Sequence, residues 1–130
     1  MKDIAQNCIP DYSNLIGTPY AQKDCWGIVC EFYRIVFNIR LKQYYETVPE
    51  SRDIAKSIVY DSMKDFVEVK ERKFGDLLLI KLFGVESHIA VYLGEGRMLH
   101  TSKHSGCLIE RTSRWEKLIV GIYRVKYDIT

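Results

Sequence analysis

The sequence is short of several things, and each shortage closes off a class of protein. Only three prolines interrupt the 130 residues, and no Gly-, Ser- or Pro-rich tract divides them. At 15.2 kDa the expectation is one domain, 1–130, large enough to bury a core without disulfides or a structural metal. No apolar run approaches the roughly 18 residues of a membrane-crossing helix. The opening Met1–Asn7 lacks the apolar stretch of a secretory signal. Neither membrane insertion nor a secretion leader is expected. Net charge is only +2, from 19 basic and 17 acidic residues, which gives no electrostatic case for nucleic acid. The basic excess is local. Seven Lys/Arg stand against Glu110 and Glu116 between Gly96 and Tyr127, and this reads as a solvated basic face.

Cysteine and histidine are also scarce. Cys8, Cys25, Cys30 and Cys107 include no Cys-x-x-Cys pair, which argues against a zinc ribbon and a thioredoxin-type site. Free thiols in a reducing compartment are expected. Cys25, Cys30, His88, His100 and Cys107 could together supply four metal ligands, but none has the close paired spacing of structural zinc sites. No metal and no cofactor are expected.

What is present divides into helix first and sheet afterwards. Met1 to Lys23 is turn-rich, with Gly17-Thr18-Pro19-Tyr20 as its clearest break. Asp24 is placed to cap a helix running to about Arg40, whose apolar residues leave only the narrow polar stripe Gly27, Glu31, Arg34 and Asn38. A helix so apolar is expected to be buried. From 41 to 73 the chain is charged. Ile54, Ile58, Val59, Met63 and Phe66 recur at helical spacing there, predicting a helix from Ser51 to about Phe66. Five strands are expected after it: Leu77–Leu82, His88–Leu93, Arg97–Thr101, Cys107–Arg111 and Leu118–Val125. Helices followed by sequential strands mean an α+β fold with an antiparallel sheet.

Cys25 stands just inside the predicted start of the buried helix, where the unpaired amides and the positive end of the helix dipole favour a thiolate. An ordinary buried cysteine is only a small core hydrophobe. The histidines weigh against that reading. His88 and His100 fall in adjacent strands joined around Gly94-Glu95-Gly96. A two-residue loop would pair Gly94 with Arg97 and put the histidines on opposite faces. A three-residue loop would pair Ala90 with His100 and make the two diagonal neighbours on one face, about 7–8 Å apart at the backbone. In the second case Cys25 would be a nucleophile, His88 its base and His100 the residue orienting that base, with the Cys25 amide stabilising an oxyanion. His104, in a polar turn, is expected to be an exposed loop residue.

These residues lie in motifs that resemble, in order, those of the NlpC/P60 cysteine peptidases, a papain-like group acting on cell-wall peptides. Gly17-Thr18-Pro19-Tyr20 resembles the approach to the nucleophile, and Asp24-Cys25-Trp26-Gly27 the nucleophile motif. Phe74-Gly75-Asp76-Leu77-Leu78-Leu79 is similar to the family's Pro-Gly-Asp-aliphatic strand. Ser87-His88-Ile89-Ala90-Val91-Tyr92-Leu93-Gly94 is similar to its base strand, and Met98-Leu99-His100 to the strand bearing the third polar residue. The resemblance runs from about Leu15 to Val125, with the 41–73 stretch, a probable helical insertion, the least matched. It implies a papain-like α+β fold with the nucleophile at the start of a buried helix packed on the sheet. It implies Cys25, His88 and His100 as the catalytic set, and Tyr20, Asp24, Trp26 and Ser87 as substrate-binding residues. It also implies the peptide stem of peptidoglycan as substrate, typically the bond between D-γ-glutamate and a diamino acid. The aromatic after the cysteine and the ending from Trp115 to Arg124 are closer to bacteriophage tail-assembly and tail-tip peptidases. That branch implies a virion protein made in the host cytoplasm, with other tail-tip or hub proteins as partners. A structural tail protein with an unused or blocked peptidase site is the competing expectation. The circularly permuted acyltransferase branch places histidine before cysteine, whereas here Cys25 precedes His88.

Overall fold

The computed structural model describes residues 9–42, 63–82 and 84–126. Helix α1 spans Cys25–Phe37, and Asp24 caps it: its Oδ1 accepts from the Gly27 amide at 3.0 Å. Asn38, in the left-handed region at φ 55, ends the helix, a backbone conformation that asparagine tolerates better than most residues. The helix therefore stops a few residues before the expected Arg40. Trp26, Ile28, Val29, Phe32, Tyr33 and Val36 are all buried along it, as its narrow polar stripe requires.

The sheet has six strands in the order β1-β6-β2-β3-β4-β5, all neighbours antiparallel. They are β1 (Phe66–Glu68), β2 (Leu77–Leu82), β3 (Val85–Gly94), β4 (Arg97–Ser102), β5 (Gly106–Arg111) and β6 (Ile119–Val125). The five strands expected from sequence are β2 to β6. Strand β1 was not expected. The helix predicted from Ser51 lies mostly outside the described residues, and its end is corrected: Met63–Asp65 is a 3-10 turn and Phe66 pairs with Val125 in β1. Phe66 is pulled into the sheet because its ring packs edge-on against Trp26 and Tyr33, at 6.4 and 5.9 Å between centroids.

Alternation along the strands separates two apolar faces. Leu77, Leu79, Ile89, Val91 and Leu99 pack against α1. Leu78, Ile80, Ala90 and Met98 lie on the other face, partly covered by Tyr92, Trp115, Ile119 and Ile122. The first cluster carries most of the core, and each large apolar side chain buried there contributes about 1.5–3 kcal/mol.

Two local devices set the frame. Asp76, fully buried before β2, accepts from the Lys73 amide at 2.7 Å and from Arg124 Nε and Nη2 at 2.8 and 2.7 Å. It ties β2 to β6. At the far edge, the Gly17 amide donates to the Cys107 carbonyl and the Cys107 amide to the Thr18 carbonyl, at 2.8 and 2.9 Å. The N-terminal loop thus covers part of the β5 edge. Gly106 makes this possible: its φ is +67, and a Cβ there would stand 2.7 Å from the Thr18 oxygen.

Candidate active site

The β3–β4 hairpin combines parts of both alternatives that the sequence left open. Gly94 pairs with Arg97 across a two-residue loop, Glu95-Gly96, with both φ angles positive at 53 and 71. That is the turn type that suits twisted hairpins. By itself it would set the histidines on opposite faces. The register then shifts between Tyr92 and Gly94, leaving Leu93 as a bulge, and resumes with Tyr92–Met98 and Val91–Leu99. One extra residue reverses the facing of everything beyond it. His88 and His100 consequently meet: His88 Nε2 lies 3.0 Å from His100 Nδ1, with the rings edge-on at 5.3 Å.

The contact continues outward. His100 Nε2 is 2.7 Å from Glu110 Oε1, and the indole of Trp115 donates to Glu110 Oε2 at 3.4 Å. Trp115 also covers both rings, 6.2 Å from His88 and 5.1 Å from His100. Sequence reasoning passed over Glu110. Its signal was the alternation in β5: Met98 pairs with Glu110 and His100 with Leu108, so Glu110 is the diagonal neighbour of His100 on the same face.

Cys25 is the first residue of α1 and is buried. The ladder between β3 and β4 goes no farther toward the histidines than Val91–Leu99. The backbone amide of Ile89, the residue after His88, lies close enough to the Cys25 sulfur to favour its charged form. The chain of hydrogen bonds from Glu110 through His100 ends at His88 and does not include Cys25. Such contacts often tighten only with substrate in place.

Burial works against the expectation of a thiolate at a helix N-terminus. Burial, with the Asp24 charge adding to it, pushes the Cys25 thiol up to about 12, although the amides of Ile89, Trp26 and Cys25 itself pull the other way. Burial, with His100 second, lowers His88 to about 3. Desolvation outweighs the dipole. Burial thus favours the neutral form of both the thiol and the imidazole.

The other expected residues divide. Tyr20 is half-buried, and its hydroxyl is pushed up to about 12 by burial and then by Cys25 and Asp24, which puts it within electrostatic reach of the thiol. Asp24 is buried with one carboxylate oxygen engaged as the helix cap. Trp26 is corrected: at 1% exposure it belongs to the core, and its indole donates to the Lys42 carbonyl at 2.9 Å. It cannot touch a substrate from there. One step along a helix rotates the side chain by about 100°, so the neighbour of a site residue need not face the site. Ser87 precedes His88 in β3, where the register against β2 shifts beyond Ile80; its side chain lies outside the described residues. His104 is exposed, as expected. Cys30 is half-buried on α1 and Cys107 is buried in β5. Among the described residues, no three His, Cys, Asp or Glu side chains are grouped as metal ligands.

The model of the NlpC/P60 family matches residues 14–124. The chain belongs to the NlpC/P60 family. It is 32% identical over 69 residues to the gamma-DL-glutamyl hydrolase of Bacillus subtilis strain 168, a match covering 48% of this chain and 17% of that protein. It is 25% identical over 96 residues to the murein DD-endopeptidase MepS/murein LD-carboxypeptidase of Escherichia coli K12, covering 72% of this chain and 45% of that one. The chain thus spans less than half the length of either relative. Among solved structures, an NLP/P60 family protein of Staphylococcus aureus Mu50 superposes with a TM-score of 0.61 at 23% identity, covering 89% of this chain and 39% of that one. That likeness establishes the NlpC/P60 fold.

Proposed function

We propose that this chain is a cysteine peptidase domain that hydrolyses the peptide stem of peptidoglycan. The observation that carries the reading is the meeting of a buried thiol at a helix N-terminus with the backbone beside His88, whose ring lies 3.0 Å from His100. Family membership and the names of the relatives support it. In this reading Cys25 attacks the carbonyl carbon, and His88 takes the thiol proton and returns it to the leaving amine. His100 holds the His88 ring. The first amide of α1 stabilises the oxyanion, and Tyr20 lies within electrostatic reach to assist. Water then attacks the thioester, with His88 again as base.

Because burial favours the neutral thiol and the neutral imidazole, in this reading the proton moves as the carbonyl is attacked. No standing ion pair is needed. The bond we assign is D-γ-glutamyl to diamino acid. The name of the Bacillus subtilis relative supports a γ-glutamyl bond, while that of the Escherichia coli relative points to a DD bond.

The finer reading is that the enzyme acts at a bacteriophage tail tip. It would be synthesised in the host cytoplasm, carried in the virion and docked on other tail-tip or hub proteins. Its support is the Asp24-Cys25-Trp26-Gly27 motif and the ending from Trp115 to Arg124.

Defined muropeptides incubated with the protein and with Cys25→Ala, read by mass spectrometry, test the activity. Cleavage by the wild type alone is expected, and the product masses name the bond. If folded wild type cleaves no muropeptide, the structural tail-protein reading replaces the enzyme. Peptide mass spectrometry of purified tails tests the virion assignment, which fails if the chain is absent from them.

A further inference from the structure

We propose that Glu110 is a positioning residue that decides which nitrogen of His88 is free to act as a base, with Trp115 holding Glu110 in that role. The inference rests on the catalytic reading of Cys25 and His88 above.

The argument follows the hydrogens along the chain. An indole nitrogen only donates, so Glu110 Oε2 accepts from Trp115 at 3.4 Å. The other oxygen of the carboxylate, 2.7 Å from His100 Nε2, also accepts. His100 therefore carries a hydrogen on Nε2. If that is the only hydrogen on the ring, the remaining nitrogen, Nδ1, is an acceptor. His88 Nε2 lies 3.0 Å from it and must donate. His88 is neutral, since burial disfavours its charged form. Its lone pair is thereby fixed on Nδ1, the nitrogen outside the chain, where the catalytic reading needs the base. Without an acceptor at 110, either tautomer of the histidine pair would satisfy the contact between the rings. One of the two puts a hydrogen where the base must be empty.

Glutamine at 110 is a sharp test because it keeps the size and loses one acceptor. Its single oxygen can face His100 or Trp115. If the NH2 faces His100, that ring must accept on Nε2 and carry its hydrogen on Nδ1, which reverses His88. If the NH2 faces Trp115, two donors oppose each other. Glu110 is a quarter exposed, so the isosteric variant is expected to fold. Replacing Trp115 by phenylalanine removes the competing donor and lets the glutamine oxygen turn to His100.

The primary measurement is the nitrogen tautomer of both histidines by 15N NMR on the intact protein at pH 8, without substrate. Hydrogen on Nε2 of both rings is expected in the wild type, with reversal or mixing in Glu110→Gln and recovery in Glu110→Gln/Trp115→Phe. On muropeptide, Glu110→Gln should lose about a hundredfold in kcat, with KM held within about twofold. The double variant should regain most of that loss relative to Trp115→Phe alone. A wild type with hydrogen on Nδ1 of His88 overturns the proposal. So does a Glu110→Gln that leaves both tautomers and kcat unchanged, or a double variant whose losses simply add. A wild type that shows the expected tautomers and cleaves no stem peptide supports the positioning and overturns the peptidase reading instead.

Discussion

Two buried polar networks lie in this sheet, and they are finished differently. At one side, Asp76 accepts three hydrogen bonds, two from Arg124 and one from the Lys73 amide, while Arg124 Nη2 also reaches the Glu71 carbonyl at 3.0 Å. Every contact there faces another part of the fold. At the other side, the chain from Trp115 through Glu110 and His100 stops at His88 and leaves its Nδ1 outside the chain. A saturated network specifies structure, whereas one with a free end keeps a group available for chemistry. The same contrast separates two motifs of similar standing in the sequence. Gly75-Asp76 builds the frame. Cys25 and His88 sit in it with protonation states that the fold makes costly to change.

The largest test of this contrast is Asp76→Ala. Removing one partner strands the Arg124 guanidinium with two of its three hydrogen bonds gone, and breaking a buried pair in this way costs about 3–5 kcal/mol. Chemical denaturation should show that loss. Cys25→Ala removes a small side chain from a site where the thiol is held by an amide contact, and should change stability by about 1 kcal/mol while removing cleavage. If Asp76→Ala costs no more than Cys25→Ala, the assignment of one network to structure and the other to chemistry fails.

A second test uses protons. His88 is lowered from 6.5 to about 3 by burial, so its unfolded form binds a proton that the folded form refuses. Between those two values the unfolded state holds more protons. Stability therefore rises with pH across the window and is lost as pH falls through it, at up to about 1.4 kcal/mol per unit from this one group. Above pH 6.5 the contribution is complete. Urea unfolding of wild type and His88→Gln from pH 7 to pH 4 should show a shallower slope in the variant. Parallel slopes would mean that His88 is not held neutral.

How much of this was legible in the sequence depends on the distance over which each feature is decided. The cap at Asp24, the apolar helix and the five later strands are written in near neighbours, and each appears with boundaries shifted by a few residues. The nucleophile and the two histidines were legible as residue types at suggestive spacing. Their meeting was not, because it turns on a bulge at Leu93, and the sequence Leu93-Gly94-Glu95-Gly96 fits a plain three-residue loop equally well. Strand β1 has only three residues and finds its partner in β6, so Phe66 reads as the end of a helix until Trp26 and Tyr33 are placed beside it. Glu110 and the Asp76–Arg124 pair depend on registers between segments 10 and 48 residues apart. Trp26 misled for a simpler reason: adjacency to Cys25 in the chain is not adjacency in space on a helix. The helix dipole that favours a thiolate at Cys25 is visible in a sequence, whereas the desolvation that opposes it is not.

The smallest expected effect lies where the frame meets the site. Arg72 makes a bidentate pair with Glu116, at 2.7 and 2.6 Å, and its guanidinium stands 5.9 Å from the centre of the Tyr92 ring. Glu116 follows Trp115 directly, so this clamp pins the turn that places the indole over both histidines. The pair is solvent-exposed, however, with Glu116 nearly half accessible, and water and salt screen it. Arg72→Ala should therefore cost under about 1 kcal/mol, and less in high salt. If the turn is held mainly by Thr112, whose amide donates to the Gly96 carbonyl at 2.8 Å, the histidine tautomers and kcat stay as in wild type. A loss of activity in Arg72→Ala larger than its loss of stability would instead extend the free-ended network outward to the surface. Titrating salt against kcat in the wild type would then reproduce the effect of the variant.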